Sequence, residues 1–158
     1  MLILRRSIIA CAWLVLAACS STPSPTGRSA RPSLISAEQS RDVAIHAMGL
    51  VGTPYRYGGN TVNGGFDCSG LIAFVYRESA GLATPRTVAQ LAGFGDPVSR
   101  EERRTGDLVI FGGGRPTHAG IYVGEDRFVH APSTGGEVRL DRIDGPYWSR
   151  QKMDVRRP

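Results

Sequence analysis

Apolar residues fall into three regimes along the chain. Ile8 to Ala18 is an unbroken apolar run of 11 residues behind Arg5-Arg6. A bilayer span needs about 20 residues, so this run reads as the hydrophobic region of an export signal. From Ser20 to Ser33 (Ser-Ser-Thr-Pro-Ser-Pro-Thr-Gly-Arg-Ser-Ala-Arg-Pro-Ser) apolar side chains nearly vanish. That stretch reads as a tether, reaching at most about 50 Å if fully extended. Helical spacing begins at Ser36, which with Gln39 fits a capping box, and continues as a stripe of Val43, Ala47, Met48 and Val51. Gly49 and Gly52 weaken the end of this helix and Thr53-Pro54 stops it. A loop dense in turn residues follows, from Tyr55 to Gly65. Asp67 is placed to cap a second helix, with core face Leu71, Ile72, Val75 and Ser79 and with Gly81 as C-cap. Thr84-Pro85 predicts a third short helix through Leu91, with proline at its first position. After Gly106 the period becomes two, in the runs Asp107–Phe111, His118–Val123, Arg127–Ala131 and Val138–Arg142. Helices first and strands after predict an α+β fold, with N-terminal helices packed on an antiparallel sheet, over residues 36–158.

Composition changes this picture in one respect. The formal charge of +5 falls by two to +3 once Arg5 and Arg6 leave with the signal. Such a balance marks a solvated surface, and no basic run reads as a nucleic-acid patch. The cysteines say more. Cys11 lies inside the apolar run, Cys19 ends it, and Cys68 stands alone in the body. Exported proteins normally pair their cysteines, so a lone thiol is worth following, although many unpaired cysteines are small buried hydrophobes. Leu16-Ala17-Ala18-Cys19 resembles the bacterial lipoprotein cleavage box. The resemblance implies a signal peptide over 1–18, a lipidated (palmitoylated) Cys19 heading the 19–35 tether, and membrane attachment through that residue. With Ser20 where an aspartate would signal inner-membrane retention, it implies an outer-membrane lipoprotein facing the periplasm of a Gram-negative bacterium.

Cys68 falls at the first turn of the second helix, where free N–H groups and the helix dipole favour a thiolate and where Asp67 opposes it. A cysteine nucleophile needs a base and a group to orient the base. Besides His46, which sits near but not on the apolar stripe of its helix, the body has two histidines, His118 and His130, both on predicted strands. Parity decides whether they can share a site. A three-residue loop at Gly124-Glu125-Asp126 puts both on one face, with residue 120 opposite His130. A regular two-residue loop at Glu125-Asp126 puts them on opposite faces, unless a bulge near Gly124 restores the parity.

Gly52-Thr53-Pro54-Tyr55-Arg56-Tyr57-Gly58-Gly59, Phe66-Asp67-Cys68-Ser69-Gly70-Leu71, Pro85-Arg86-Thr87, Gly106-Asp107-Leu108-Val109, His118-Ala119-Gly120-Ile121-Tyr122-Val123-Gly124 and Phe128-Val129-His130-Ala131 resemble the NlpC-type cell-wall cysteine peptidases. The likeness runs from about Ser36 to Trp148, closest to the small lipoprotein murein endopeptidases of that family. It implies a papain-like fold and a peptidoglycan endopeptidase that hydrolyses peptide bonds in stem peptides or cross-links, acting as a monomer with no metal or other cofactor. It further implies Cys68 as nucleophile, His118 as general base and acid, and His130 as the residue orienting His118. Tyr55 and Ser69 match oxyanion or substrate support, and Arg86 either meets a substrate carboxylate or braces the groove. To accept from His118, His130 must be neutral, and an unshifted imidazole loses that state near and below pH about 6.5.

Three other readings fit the same residues. Cys68, His118 and His130 are all possible zinc ligands, although no close-spaced ligand pair is present. The domain could be an inactive peptidoglycan-binding scaffold, or it could pass its thioester to an amine instead of water. The residues after Trp148 carry no functional signal.

Overall fold

Local signals set the first helix. In the computed structural model, which describes residues 32–134 and 136–158, helix α1 (Ala37–Gly49) starts on a complete capping box. Gln39 N–H donates to Ser36 Oγ at 3.1 Å and Ser36 N–H donates to Gln39 Oε1 at 2.8 Å. The signal segment, Cys19 and most of the tether lie outside the described residues. Ile35, assigned from sequence to the tether, is buried in the core, and Ser33 Oγ donates to the carbonyl of Pro158. Packing therefore begins before the expected start at Ser36. The inner face of α1 is Val43, Ala44 and Ala47, followed by Leu50, whereas Met48 and Val51 are exposed. The expected stripe was rotated by about one position, because the alanines carry the close approach to the next helix.

That helix, α2 (Cys68–Ala80), runs from its Asp67 cap to Gly81 in the left-handed conformation (φ 64°). Its inner face is Leu71, Ile72, Val75 and Tyr76. Ser79, expected inside, is half-buried and bonds to His46 Nδ1 at 2.9 Å. Tyr76 is fully buried and its hydroxyl donates to the carbonyl of Gly106. Helix α3 (Val88–Leu91) starts later than expected, because the Thr87 hydroxyl caps it and Pro85 precedes the cap.

A small hairpin, β1 (Asn60–Thr61) with β2 (Gly65–Phe66), precedes α2. The main sheet contains β3 (Asp96–Val98), β4 (Leu108–Phe111), β5 (His118–Gly124), β6 (Arg127–His130), β7 (Arg139–Arg142) and β8 (Met153–Arg157). It is antiparallel throughout, in the order β3-β8-β4-β5-β6-β7. Strand β8 was not expected, yet it fills the place between β3 and β4. Met153 and Val155 point inward, and Arg157 makes a two-pronged pair with buried Asp107, at 2.8 and 2.9 Å. Alternation splits the core in two. Leu108, Ile110, Ala119, Ile121 and Val129 face the helices, while Val109, Phe111, Tyr122, Phe128 and Val155 pack on the opposite side around Trp148. Among the described residues no helix is long and apolar enough to cross a membrane.

Candidate active site

Asp67 organises the start of α2. Its Oδ1 accepts from Gly70 N–H at 2.6 Å and its Oδ2 from Gly58 N–H at 2.9 Å, which ties the glycine-rich loop to the helix end. Arg86 lies against the same carboxylate at 3.3 Å, and its other terminal nitrogen is 3.4 Å from the carbonyl of Gly58. The Ser69 hydroxyl is shared between the carbonyl of Arg86 (2.8 Å) and Asp67 Oδ1 (3.0 Å). Arg86 thus bridges the helix start and the glycine-rich loop. Ser69 offers the sulfur only its backbone N–H. The loop and helix meet so closely that a Cβ on Gly70 would stand 1.9 Å from the carbonyl oxygen of Gly59.

Burial pushes the Cys68 thiol above its ordinary pKa, and the Asp67 carboxylate adds to the rise. The N–H groups of Ser69, Ala119 and Cys68 itself recover part of this but not all. The lowered pKa expected from helix position is thus corrected: desolvation outweighs the helix-end donors, and the resting group is a thiol. Tyr55 lies in the field of this group, its phenol raised by burial and then by the charges of Cys68 and Asp67. The Ala119 contact also shows where the sulfur sits, against the first residues of β5.

Strands β5 and β6 join by a two-residue turn, with Glu125 (φ 48°) and Asp126 (φ 55°) both left-handed. Ile121 pairs with Val129 and Tyr122 with Phe128, but Gly124 pairs with Arg127. One extra residue therefore lies on β5, the bulge that parity required for a loop this short. Gly120 falls opposite His130, close enough that a Cβ there would lie 3.1 Å from His130 Cβ. The two histidines share a face, and His118 Nε2 lies 2.8 Å from His130 Nδ1.

His130 is fully buried and His118 partly so. Burial holds the His118 pKa down to about 3, helped by His130, and that of His130 down to about 4. Trp148 stacks on His118 with ring centres 5.3 Å apart, and Phe128 stacks on His130 at 4.6 Å. Three residues of this shell, Trp148, Asp141 and Arg139, were not singled out from the sequence as functional. Trp148 donates Nε1–H to Asp141 Oδ2 at 2.9 Å, and that same oxygen lies 3.0 Å from His130 Nε2. Arg139 completes the group at 2.8 and 3.2 Å. Burial raises the Asp141 pKa, but the Trp148 and Arg139 hydrogen bonds and the His130 contact together carry it below the usual carboxylate range. Asp141 looks in the sequence like part of a solvated Arg-Leu-Asp-Arg strand, and only the register that sets it opposite Phe128 brings it beside His130.

A cleft of about 870 Å³ opens beside His118, with Thr117, Arg139, Asp141, Tyr147 and Trp148 among its walls. Among the described residues no group of three or more His, Cys, Asp or Glu is arranged to hold a metal ion. What the arrangement provides chemically is a partly buried thiol at a helix end, next to the strand that carries a neutral imidazole pair. A thiol there can be deprotonated as it attacks, without a resting charge in the apolar site.

The NlpC/P60 family model matches residues 52–157. The chain is 38% identical over 115 residues to "Murein DD-endopeptidase MepH" of Escherichia coli (strain K12), covering 70% of this chain and 42% of that protein. It is 41% identical over 107 residues to "Murein DD-endopeptidase MepS/Murein LD-carboxypeptidase" of the same organism, covering 67% and 56%. The chain thus spans about half the length of these curated relatives. The solved NlpC/p60 domain of "peptidoglycan hydrolase SagA" superposes with a TM-score of 0.64 at 30% identity, covering 73% of this chain and 97% of that one.

Proposed function

The chain belongs to the NlpC/P60 family, and we propose that it is a cysteine endopeptidase that hydrolyses peptide bonds in peptidoglycan. The observation that carries this reading is the partly buried thiol at the start of α2, set against the strand bearing the hydrogen-bonded His118–His130 pair. The names of the relatives agree with it, since both are called murein endopeptidases.

In the proposed reaction the Cys68 thiol attacks the carbonyl carbon of the scissile bond while His118 takes its proton. The developing oxyanion would be met by the N–H groups at the start of α2 and by the Tyr55 hydroxyl, and one such donor is worth about 3–4 kcal/mol. His118 then returns the proton to the leaving amine, and the cleft beside it is where that half of the substrate departs. Water, deprotonated by His118, attacks the thioester and releases the acid and the thiol.

Location follows from the sequence. Cleavage after residue 18 and lipidation of Cys19 would place the enzyme on the outer membrane, facing the periplasm, on the 19–35 tether. Digestion of purified sacculi followed by mass spectrometry of the fragments tests the function. Peptide-bond cleavage that disappears with Cys68→Ala supports it. Intact sacculi under all conditions, or cleavage that survives Cys68→Ala, would refute it.

A further inference from the structure

The His118–His130 pair leaves one question open: each neutral ring has two tautomers, and only one arrangement makes His118 a base toward Cys68. His118 Nε2 is engaged with His130 Nδ1 at 2.8 Å, so only His118 Nδ1 remains to take a proton from the thiol. It can do so only if His118 carries its proton on Nε2 and donates it to a bare His130 Nδ1. His130 must then hold its own proton on Nε2. That nitrogen is fully buried and 3.0 Å from Asp141 Oδ2. A bare Nε2 would set a nitrogen lone pair against a carboxylate oxygen, whereas an Nε2–H places a positive edge there. Trp148 Nε1 and two nitrogens of Arg139 donate to the same oxygen, and the His130 Nε2–Oδ2 approach is a close electrostatic contact, not a formed hydrogen bond. Its sign nevertheless selects the tautomer.

We propose that Asp141, held by Trp148 and Arg139, is a fourth, positioning residue that fixes the His130 tautomer and through it leaves His118 Nδ1 free as the base. This rests on the peptidase reading for its catalytic meaning, though the tautomers themselves do not. Every proton stays in place at rest, and in the reaction one proton moves from the thiol to His118 Nδ1 and then to the leaving amine. The charged groups that act on the pair are Arg139 and Asp141 from β7. Asp141 favours protonation of both rings and Arg139 opposes it.

Nitrogen-15 NMR of the labelled protein at neutral pH reads the tautomers without substrate or substitution. The expected result is Nε2–H on both His118 and His130, and Nδ1–H on His130 would overturn the proposal. Asp141→Ala is expected to lower kcat on peptidoglycan fragments by about 10- to 100-fold, the usual cost of losing an outer orienting partner, with KM little changed. The acidic limb of its kcat/KM profile should move to lower pH, as both rings become less basic. Asp141→Asn, whose amide can donate to His130 Nε2 and reverse the chain, should lose at least as much. An unchanged kcat and pH profile in Asp141→Ala would also overturn it. If Asp141→Ala does not fold, the wild-type NMR result decides alone. A wild-type protein that cuts no peptidoglycan would refute the peptidase reading while the tautomers still judge Asp141.

Discussion

Lowering the pH from 7 to about 4.5 should cost this fold several kcal/mol through two imidazoles alone. Burial holds His118 neutral down to about pH 3 and His130 down to about pH 4. In the unfolded chain both titrate near pH 6.5, so as the pH falls below that value the unfolded state binds protons that the folded state refuses. Stability contributed by the neutral rings is complete above pH about 6.5 and is lost as the pH falls toward their folded values. At pH 4.5 the linkage integral gives about 5 kcal/mol for the two rings together. A domain holds only about 5–15 kcal/mol in total. Asp141 acts in the same sense but below this window, since its lowered pKa withdraws support only as the pH falls through the ordinary carboxylate range and beyond. Urea unfolding followed by tryptophan fluorescence at a series of pH values measures the slope. Wild type should lose about 5 kcal/mol between pH 7 and 4.5, and His118→Asn about half of that. A flat wild-type profile, or an equal slope in the variant, would refute the reasoning. The same burial corrects the expected acid limit on activity: His130 does not charge near pH 6.5, so that limit moves to lower pH.

Three further outcomes follow from the other end of the site. Asp67→Asn keeps a good helix cap and removes a charge that raises the Cys68 pKa. The midpoint for alkylation of Cys68 should therefore move to lower pH, and a move upward would contradict the assigned role of Asp67. Tyr76→Phe strands the buried carbonyl of Gly106 and should cost about 1–3 kcal/mol in urea unfolding, so a neutral result would count against that bond. Gly70→Ala drives a methyl group into the Gly59 carbonyl and should cost at least about 1–3 kcal/mol. It should also slow alkylation of Cys68 by displacing the helix start, and wild-type behaviour in both assays would show that the contact is slack.

What could be read from the sequence was local. The Ser36–Gln39 box, the Asp67 cap and the left-handed Gly81 are each decided by residues within one turn, and all three are present. The parity of the two histidines was also legible, because a strand has period two whatever it pairs with. The choice of bulge over long loop was not, since Glu125 and Asp126 accept positive φ without being glycine. The misses are long-range. Met153 to Arg157 carries three charges in five residues and reads as a solvated tail, yet β4 and β3 flank it and bury Met153 and Val155. Tyr76 was passed over because its burial depends on Gly106, thirty residues away. Asp141 and Trp148 become part of the site only through strand register and the turn after β7. The Cys68 pKa failed in its sign, because helix position is visible in a sequence and desolvation is not.

The central claim is that the sulfur of Cys68 forms a covalent bond to substrate. Peptidoglycan fragments mixed with enzyme, quenched in acid within one turnover and analysed by intact-protein and peptide mass spectrometry, test it directly. The account predicts an added mass equal to the acyl half of the substrate, on the peptide containing Cys68, which decays as product appears. Turnover that proceeds undiminished in Cys68→Ala, with no adduct in wild type, would contradict it.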